Sequence, residues 1–170
     1  VSFGVETGSA RMVDLIDKNI DLADVVPTVK MVNDAGISTT TFFIINHTGE
    51  TREDMVATEN LINDLNKNCR LNEVELNVGF PYPATPWWDY CEQRQLLTDI
   101  DFYRFSHRYN HQQRPAVNMT EESESAMLEV RDRIERAELM HSVPIRIKRG
   151  LKLLTRDPKR AFKRVFGSGG

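Results

Sequence analysis

The segment FFIINHTGETREDM, residues 42–55, passes from an apolar run through a polar turn into a helix. The run continues a β-branched and aromatic segment that begins at Ile37, a composition typical of a buried strand in a parallel sheet. Thr51 and Asp54 fit a capping box, which predicts that a helix begins there. This strand–turn–helix unit decides the fold class. It also raises the question whether the turn only connects the two elements or faces a ligand.

Strand-like and helical segments alternate on both sides of this unit. The predicted order is strand 1–5, helices 11–19 and 22–35, strand 37–45, the helix after residue 51, strand 72–80 and helix 87–95. This alternation predicts an α/β fold with a parallel sheet and right-handed crossovers. From about residue 99 the pattern changes to a long loop, followed by a helix from residue 120 to about 140 that we expect to end at Pro144. Two short basic helices are predicted over residues 145–154 and 159–166.

Composition limits the class of protein. The chain is 40% hydrophobic and 28% charged, as ordinary globular domains are, and no run approaches the roughly 18 apolar residues of a membrane span. The two cysteines, Cys69 and Cys91, lie far apart and have no metal-ligand or redox spacing. We therefore predict two buried structural thiols and a reducing, cytoplasmic location.

Charge is unevenly distributed along the chain. From Arg146 to the end there are nine Lys/Arg residues and one acidic residue, Asp157, although the whole chain has a net charge of −3. The acidic remainder argues against nucleic-acid binding. The basic tail is interpreted first as a solvated amphipathic face, and docking at an anionic membrane surface is the alternative.

Three loops follow the predicted strands: ETGSA, NHTGET and FPYPATP. All three are rich in small, polar or turn-forming residues. Binding sites on parallel sheets lie at the carboxyl ends of the strands, in the loops that lead into helices. The sequence therefore places a candidate site at this edge of the sheet.

The motifs GVETGS, AGI, FFIINHTGETREDM and NVGFPYPATPWWDY, in this order, resemble the carboxyl half of the radical S-adenosylmethionine (SAM) enzyme core. The cobalamin-binding group is the most similar, and VPIRIKRGLKLL is similar to its tail. The resemblance covers roughly residues 1–155. It implies the carboxyl-terminal βα units of a partial TIM-like barrel over residues 1–98, and a loop and helical extension over residues 99–170. Its implied cofactors are SAM and a [4Fe–4S] cluster, with cobalamin as a further candidate.

The resemblance also implies roles for single residues. Glu6 would face the ribose or amino group of SAM, Lys18 would pair with its carboxylate, and Gly79 and Phe80 would meet adenine. The remaining candidates are Ser9, Ile44 and Asn46 around SAM, and His47 and Tyr82 on the substrate side.

The same residues also have purely structural interpretations. Glu6 and Ser9 also suit a helix N-terminus, Lys18 suits a solvated helix end, and Ile44 suits the core. Asn46 departs from the glycine usual in the family, although asparagine tolerates an unusual φ. For His47 an exposed loop histidine is the favoured interpretation, and Glu50 is expected to steady the turn.

The largest departure from the family is the absence of a Cys-x₃-Cys-x₂-Cys motif. The cluster ligands would lie upstream of Val1, in a missing amino-terminal half. The prediction is a fragment of a radical SAM enzyme for methyl transfer or rearrangement, inactive alone, with an unidentified small-molecule or lipid-like substrate. The alternatives are a non-catalytic half-barrel scaffold and a cluster-free TIM-barrel enzyme.

Two further groups carry weaker predictions. Trp87, Trp88 and Tyr90, with aromatic residues of the loop after residue 99, are interpreted as core in preference to a substrate cavity. His107 and His111 would form a metal pair only if that loop were helical.

Overall fold

The computed structural model describes residues 1–70, 72–97 and 115–156. Its strands are β1 (Ser2–Glu6), β2 (Thr39–Ile45) and β3 (Asn72–Val78). Its α-helices are α1 (Ala10–Leu15), α2 (Val25–Asp34), α3 (Arg52–Asn68), α4 (Pro86–Gln93) and α5 (Glu124–Arg156), and a 3-10 turn, Leu22–Asp24, precedes α2. No helix among these residues is long and apolar enough to cross a membrane.

The three strands form one parallel sheet in the order β1-β2-β3. One face is buried, and its core includes Val5, Phe43, Ile45 and Leu76 with apolar side chains from α2, α3 and α5. On the other face Gly4, Phe42 and Glu75 lie in register, and none of the three is fully buried. The sheet therefore has a packed face and a partly exposed face.

The predicted α/β class and parallel strands agree with the structure, but the partial TIM-like barrel is wrong. The described residues form a small open sheet of three strands that follow one another in chain order. Alternating strands and helices are compatible with an open sheet as well as with a barrel, because both use parallel strands with crossover helices. The sequence pattern could not distinguish them.

The start of α3 agrees with the sequence, whereas α5 begins four residues after its predicted start at residue 120. Thr51 and Asp54 form the predicted capping box at the start of α3. The Thr85 side chain accepts a hydrogen bond from the Trp88 amide at the start of α4. Gly36, just past the end of α2, has a φ of 80°, the left-handed conformation that glycine adopts at low cost.

Helix α5 differs from its prediction. It continues through Pro144 to Arg156, so the predicted break is wrong and the predicted helix 145–154 is its second half. In its first half Met127, Val130 and Ile134 are buried against α3 and the sheet. A proline removes one hydrogen bond from a helix interior, which is a local cost that a long helix can absorb. The predicted helix 159–166 lies outside the described residues.

Candidate functional site

The carboxyl ends of the three strands bring Glu6, Asn46 and the residue after β3, Gly79, to one edge of the sheet. Glu6 has a φ of 70° and Asn46 a φ of 68°, an unusual conformation that asparagine tolerates. Positive φ is uncommon outside glycine, and such strained residues cluster at functional sites. Two adjacent strands thus end in the same strained conformation.

Glu6 and Lys18 form an ion pair at this edge. The Lys18 Nζ donates a hydrogen bond to Glu6 Oε1 at 2.9 Å, and the two side chains are 24% and 27% exposed. The register of β1 against β2 shifts between Gly4 and Glu6, and the pair lies over Gly4, where an added Cβ would stand 2.6 Å from Glu6 Oε1. Two residues that the sequence assigned to SAM are therefore in direct contact and partly exposed.

Asn46 has a different environment. Its side-chain amide is buried and donates to the carbonyl oxygens of Gly79 and Val117, both at 2.9 Å. Its Oδ1 accepts from the Met119 amide, also at 2.9 Å. Both amide protons are used within the protein. The side chain predicted to face SAM instead ties the ends of β2 and β3 to residues 117–119.

Gly79 is needed where β2 and β3 end. A Cβ at this position would lie 2.7 Å from the Asn46 carbonyl oxygen and 2.9 Å from the Trp87 ring. The Gly79 amide also donates to the Ile45 carbonyl at 2.7 Å. This close approach of backbone gives a structural reason for the glycine, independent of any ligand.

His47 is fully buried, so the favoured interpretation of an exposed loop histidine is wrong. Its ring contacts Trp87 edge-on, with ring centroids 5.2 Å apart. Burial lowers the pKa of His47, and the nearby Glu6 and Ile44 backbone carbonyls act in the opposite direction. Neither ring nitrogen has a hydrogen-bond partner among the described residues.

Glu50 steadies the turn, as predicted. Its buried Oε2 accepts from the His47 amide at 3.1 Å, and its own carbonyl accepts from the Glu121 amide at 2.9 Å. Burial raises the pKa of Glu50 to about 8. Its Oε1 has no partner among the residues the structure describes, and burial favours the neutral form of the side chain.

Ser9 belongs to a polar cluster beside the turn, in which Ser9 and Asp54 are buried and Arg11 is exposed. Its side chain accepts from the Met12 amide, which caps α1, and donates to Asp54 Oδ1 at 2.5 Å. Arg11 forms an ion pair with Asp54 and also donates to the Gly49 carbonyl at 2.8 Å. Burial raises the pKa of Asp54, but the hydrogen bonds from Arg11, Ser9 and Thr51 outweigh it and hold that pKa well below its usual range.

Sequence reasoning missed the roles of Arg11 and Asp54 in this cluster. Asp54 lies 43 residues after Arg11 and 45 residues after Ser9 along the chain, and no local motif links these positions. The one available signal was the capping box, which identified Asp54 as a helix-start residue but not as the partner of Arg11.

The other candidates occupy the same edge. Ile44 is half-buried on the partly exposed face of β2, and Phe80 contacts Tyr82 edge-on at 4.9 Å between centroids. Tyr82 is 53% exposed. The core interpretation is supported for Trp87 and Tyr90, which pack against a small cluster of buried residues: Cys91, Val117 and Met119. The aromatic residues after residue 99 lie outside the described residues.

Metal ligation has no support in the described ranges. No group of three or more His, Cys, Asp or Glu residues there could hold a metal ion, and His107 and His111 lie outside these ranges. Cys69 and Cys91 are free and buried, as predicted, and they belong to separate apolar clusters. They do not fit a [4Fe–4S] cluster, which needs three or four converging thiolates.

Comparison with known proteins gives one informative match. No protein-family profile matches the chain. The chain is 28% identical over 106 residues to an uncharacterized methyltransferase of Pyrococcus horikoshii. The match covers 62% of this chain and 22% of that protein. The chain is thus similar to part of a methyltransferase and spans about a fifth of its length.

Proposed function

We propose that this chain is part of a SAM-dependent methyltransferase and that the Glu6–Lys18 pair binds the amino-acid end of SAM. The observation that carries the proposal is the pair itself, which joins an acid and a base at a strand end, partly exposed and next to a strained backbone. The similarity to a methyltransferase supplies the ligand class.

The chemistry of the pair suits that ligand. The amino-acid end of SAM carries an ammonium and a carboxylate side by side. Glu6 can accept hydrogen bonds from the ammonium, and Lys18 can donate to the carboxylate. Binding replaces one ion pair with two, so neither protein charge is left without a partner. A singly charged ligand would satisfy only one of the two side chains.

Neighbouring residues suit the rest of the molecule. Phe80 and Tyr82 provide aromatic surface next to the end of β3, against which an adenine ring can pack. Ile44 adds apolar surface on the same face of the sheet as Phe42. The buried side chains of Ser9 and Asn46 hold the edge in shape and do not contact the ligand.

Within this class, the motifs favour a radical SAM enzyme of the cobalamin-binding group. When bound, the cluster of such an enzyme supplies the electron that cleaves SAM. Because the two cysteines of this chain do not fit a cluster, its ligands would come from outside this chain. The contribution of residues 1–97 is confined to holding and orienting SAM.

Calorimetric titration of SAM into the full-length protein tests the pair. Glu6→Gln and Lys18→Met are each expected to raise the Kd for SAM about tenfold or more, since each removes a charge-assisted contact. Lys30→Met is the matched control, because Lys30 forms an exposed ion pair with Asp34 on α2. Unchanged affinity in both Glu6→Gln and Lys18→Met would contradict the assignment.

Iron content tests the finer class separately. The full-length protein, reconstituted anaerobically, is expected to hold about four irons per chain and to show a broad visible band that bleaches on reduction. Folded protein that binds SAM but holds no iron would contradict the radical SAM proposal and leave the methyltransferase proposal standing.

A further inference from the structure

Two apolar side chains in the second half of α5 are exposed to solvent. Met140 is 76% exposed and Ile147 is 58% exposed. They are seven residues apart, about two helical turns, and therefore lie on the same side of the helix. The sequence continues this spacing in three- and four-residue steps with Val143, Leu151 and Leu154. We call these five positions the outer stripe.

The outer stripe is separate from the side of α5 that packs on the body. The buried side is marked by Met127, Val130 and Ile134. At about 100° per residue, the outer stripe is turned roughly 120° around the helix axis from these residues. It is therefore not a continuation of the core contact.

The charge of residues 140–156 indicates which kind of partner would bind the outer stripe. Residues 140–156 contain five Lys/Arg residues and no acidic residue. A second copy of this helix would place like charges against each other, which opposes self-association. Nucleic acid would satisfy the positive charge but would leave the apolar stripe exposed. An apolar stripe flanked by cations is the pattern of helices that lie in the plane of an anionic bilayer.

We propose that residues 140–156 of α5 bind the surface of an anionic membrane, with the outer stripe at the boundary of the acyl chains and the cations among the lipid headgroups. The first half of α5 stays on the body, where the Arg133 guanidinium donates to both carboxylate oxygens of Glu59 on α3, the shortest contact being 2.6 Å. The surface is thus attached to the rest of the protein at a fixed place. This proposal does not depend on SAM binding.

Vesicle flotation of the full-length protein tests the proposal. Vesicles of phosphatidylcholine with phosphatidylglycerol are expected to carry the protein, and vesicles of phosphatidylcholine alone are not. The double substitution Met140→Gln with Ile147→Gln is expected to weaken binding at least about tenfold, because two apolar contacts are lost. Added salt is expected to weaken it as well, since the cations are screened.

The matched control is Met31→Gln on α2, because Met31 is 66% exposed at a position remote in sequence from α5. This variant is expected to bind vesicles as the parent protein does. Failure of the parent protein to float with anionic vesicles would overturn the proposal. So would equal binding by the Met140/Ile147 variant, a self-association in light scattering that the same variant abolishes, or preferential binding of RNA over the vesicles.

Discussion

The turn after β2 and the corner after β1 lie at the same edge of the sheet, but they differ in almost every physical respect. In the turn, residues 46–51, Asn46, His47 and Glu50 are buried, and the Asn46 side chain, the His47 amide and the Glu50 carbonyl form hydrogen bonds within the protein. The corner, made by Glu6 and Lys18, is partly exposed, and one ion pair holds it. The motif that stood out most in the sequence is thus the structural one of the two.

The comparison shows how a strand-end site can be built. Hydrogen bonds of the Asn46 and Asp54 side chains fix the backbone of the turn. The strained φ of Asn46 is therefore held by its surroundings. At the corner, the Glu6–Lys18 ion pair can be replaced by contacts with a ligand without disturbing the hydrogen bonds of the turn. Substitutions in the turn should therefore act on stability, and substitutions at the corner should act on binding.

The largest stability effect is expected for Asn46→Ala. The substitution leaves the Gly79 and Val117 carbonyls and the Met119 amide without their partner, which lowers the free energy of unfolding by about 3–4 kcal/mol. Urea denaturation measures the change. Asn68→Ala, at the exposed end of α3, is the control and should cost under about 0.5 kcal/mol. A loss below about 1 kcal/mol at Asn46 would remove the distinction between turn and corner.

A smaller loss, about 2–3 kcal/mol, is expected for Asp54→Ala. It removes the capping-box partner of Thr51 and the acceptor of Ser9 and Arg11. Asp54→Asn keeps the size of the side chain and should lose less. If both variants unfold at the same urea concentration as the parent protein, the cluster beside the turn does not contribute to the framework.

The pH dependence of stability sharpens the comparison further. Glu50 has a folded pKa of about 8, above its unfolded value, so its contribution is complete at low pH and decreases as pH rises toward 8. The lowered pKa of His47 has the opposite sign, since the unfolded state takes up that proton first as pH falls below about 6.5. Between about pH 6.5 and 8, the decrease in the free energy of unfolding should therefore come mainly from Glu50.

Melting temperatures across this range test the assignment. Glu50→Gln is expected to abolish the decrease between about pH 6.5 and 8, while His47→Gln should leave it in place. A decrease of the same size in Glu50→Gln would assign it to another group.

The smallest stability effect is expected at the corner itself. Glu6→Gln breaks a partly exposed ion pair, which should change the free energy of unfolding by less than about 1 kcal/mol while SAM affinity falls. The same urea titration used for Asn46→Ala makes the two numbers directly comparable. A loss larger than that of Asp54→Ala would make Glu6 a structural residue.

Local signals explain which elements the sequence could predict. The capping box at Thr51 and the β-branched run of β2 each determine their element within a few residues, and both are found as predicted. The predicted end of α5 at Pro144 was wrong because a proline lowers the stability of a helix without forbidding it.

Long-range contacts explain what the sequence could not predict. The burial of His47 depends on Trp87, and the use of the Asn46 amide depends on residues 117–119, about 70 residues away in the chain. Whether a parallel sheet stays open or closes into a barrel is also decided by pairing between distant strands. No pattern within one segment carries that information.

The proline inside α5 has a consequence for hydrogen exchange. Pro144 has no amide proton, so the Met140 carbonyl lacks the helical donor that it would otherwise accept from. A helix opens most easily where its ladder of hydrogen bonds is interrupted. Amide protons before residue 140 should therefore exchange with solvent slowly, together with those of α3. Those after Pro144 should exchange faster as a separate unit, and docking of the outer stripe would slow only the second group.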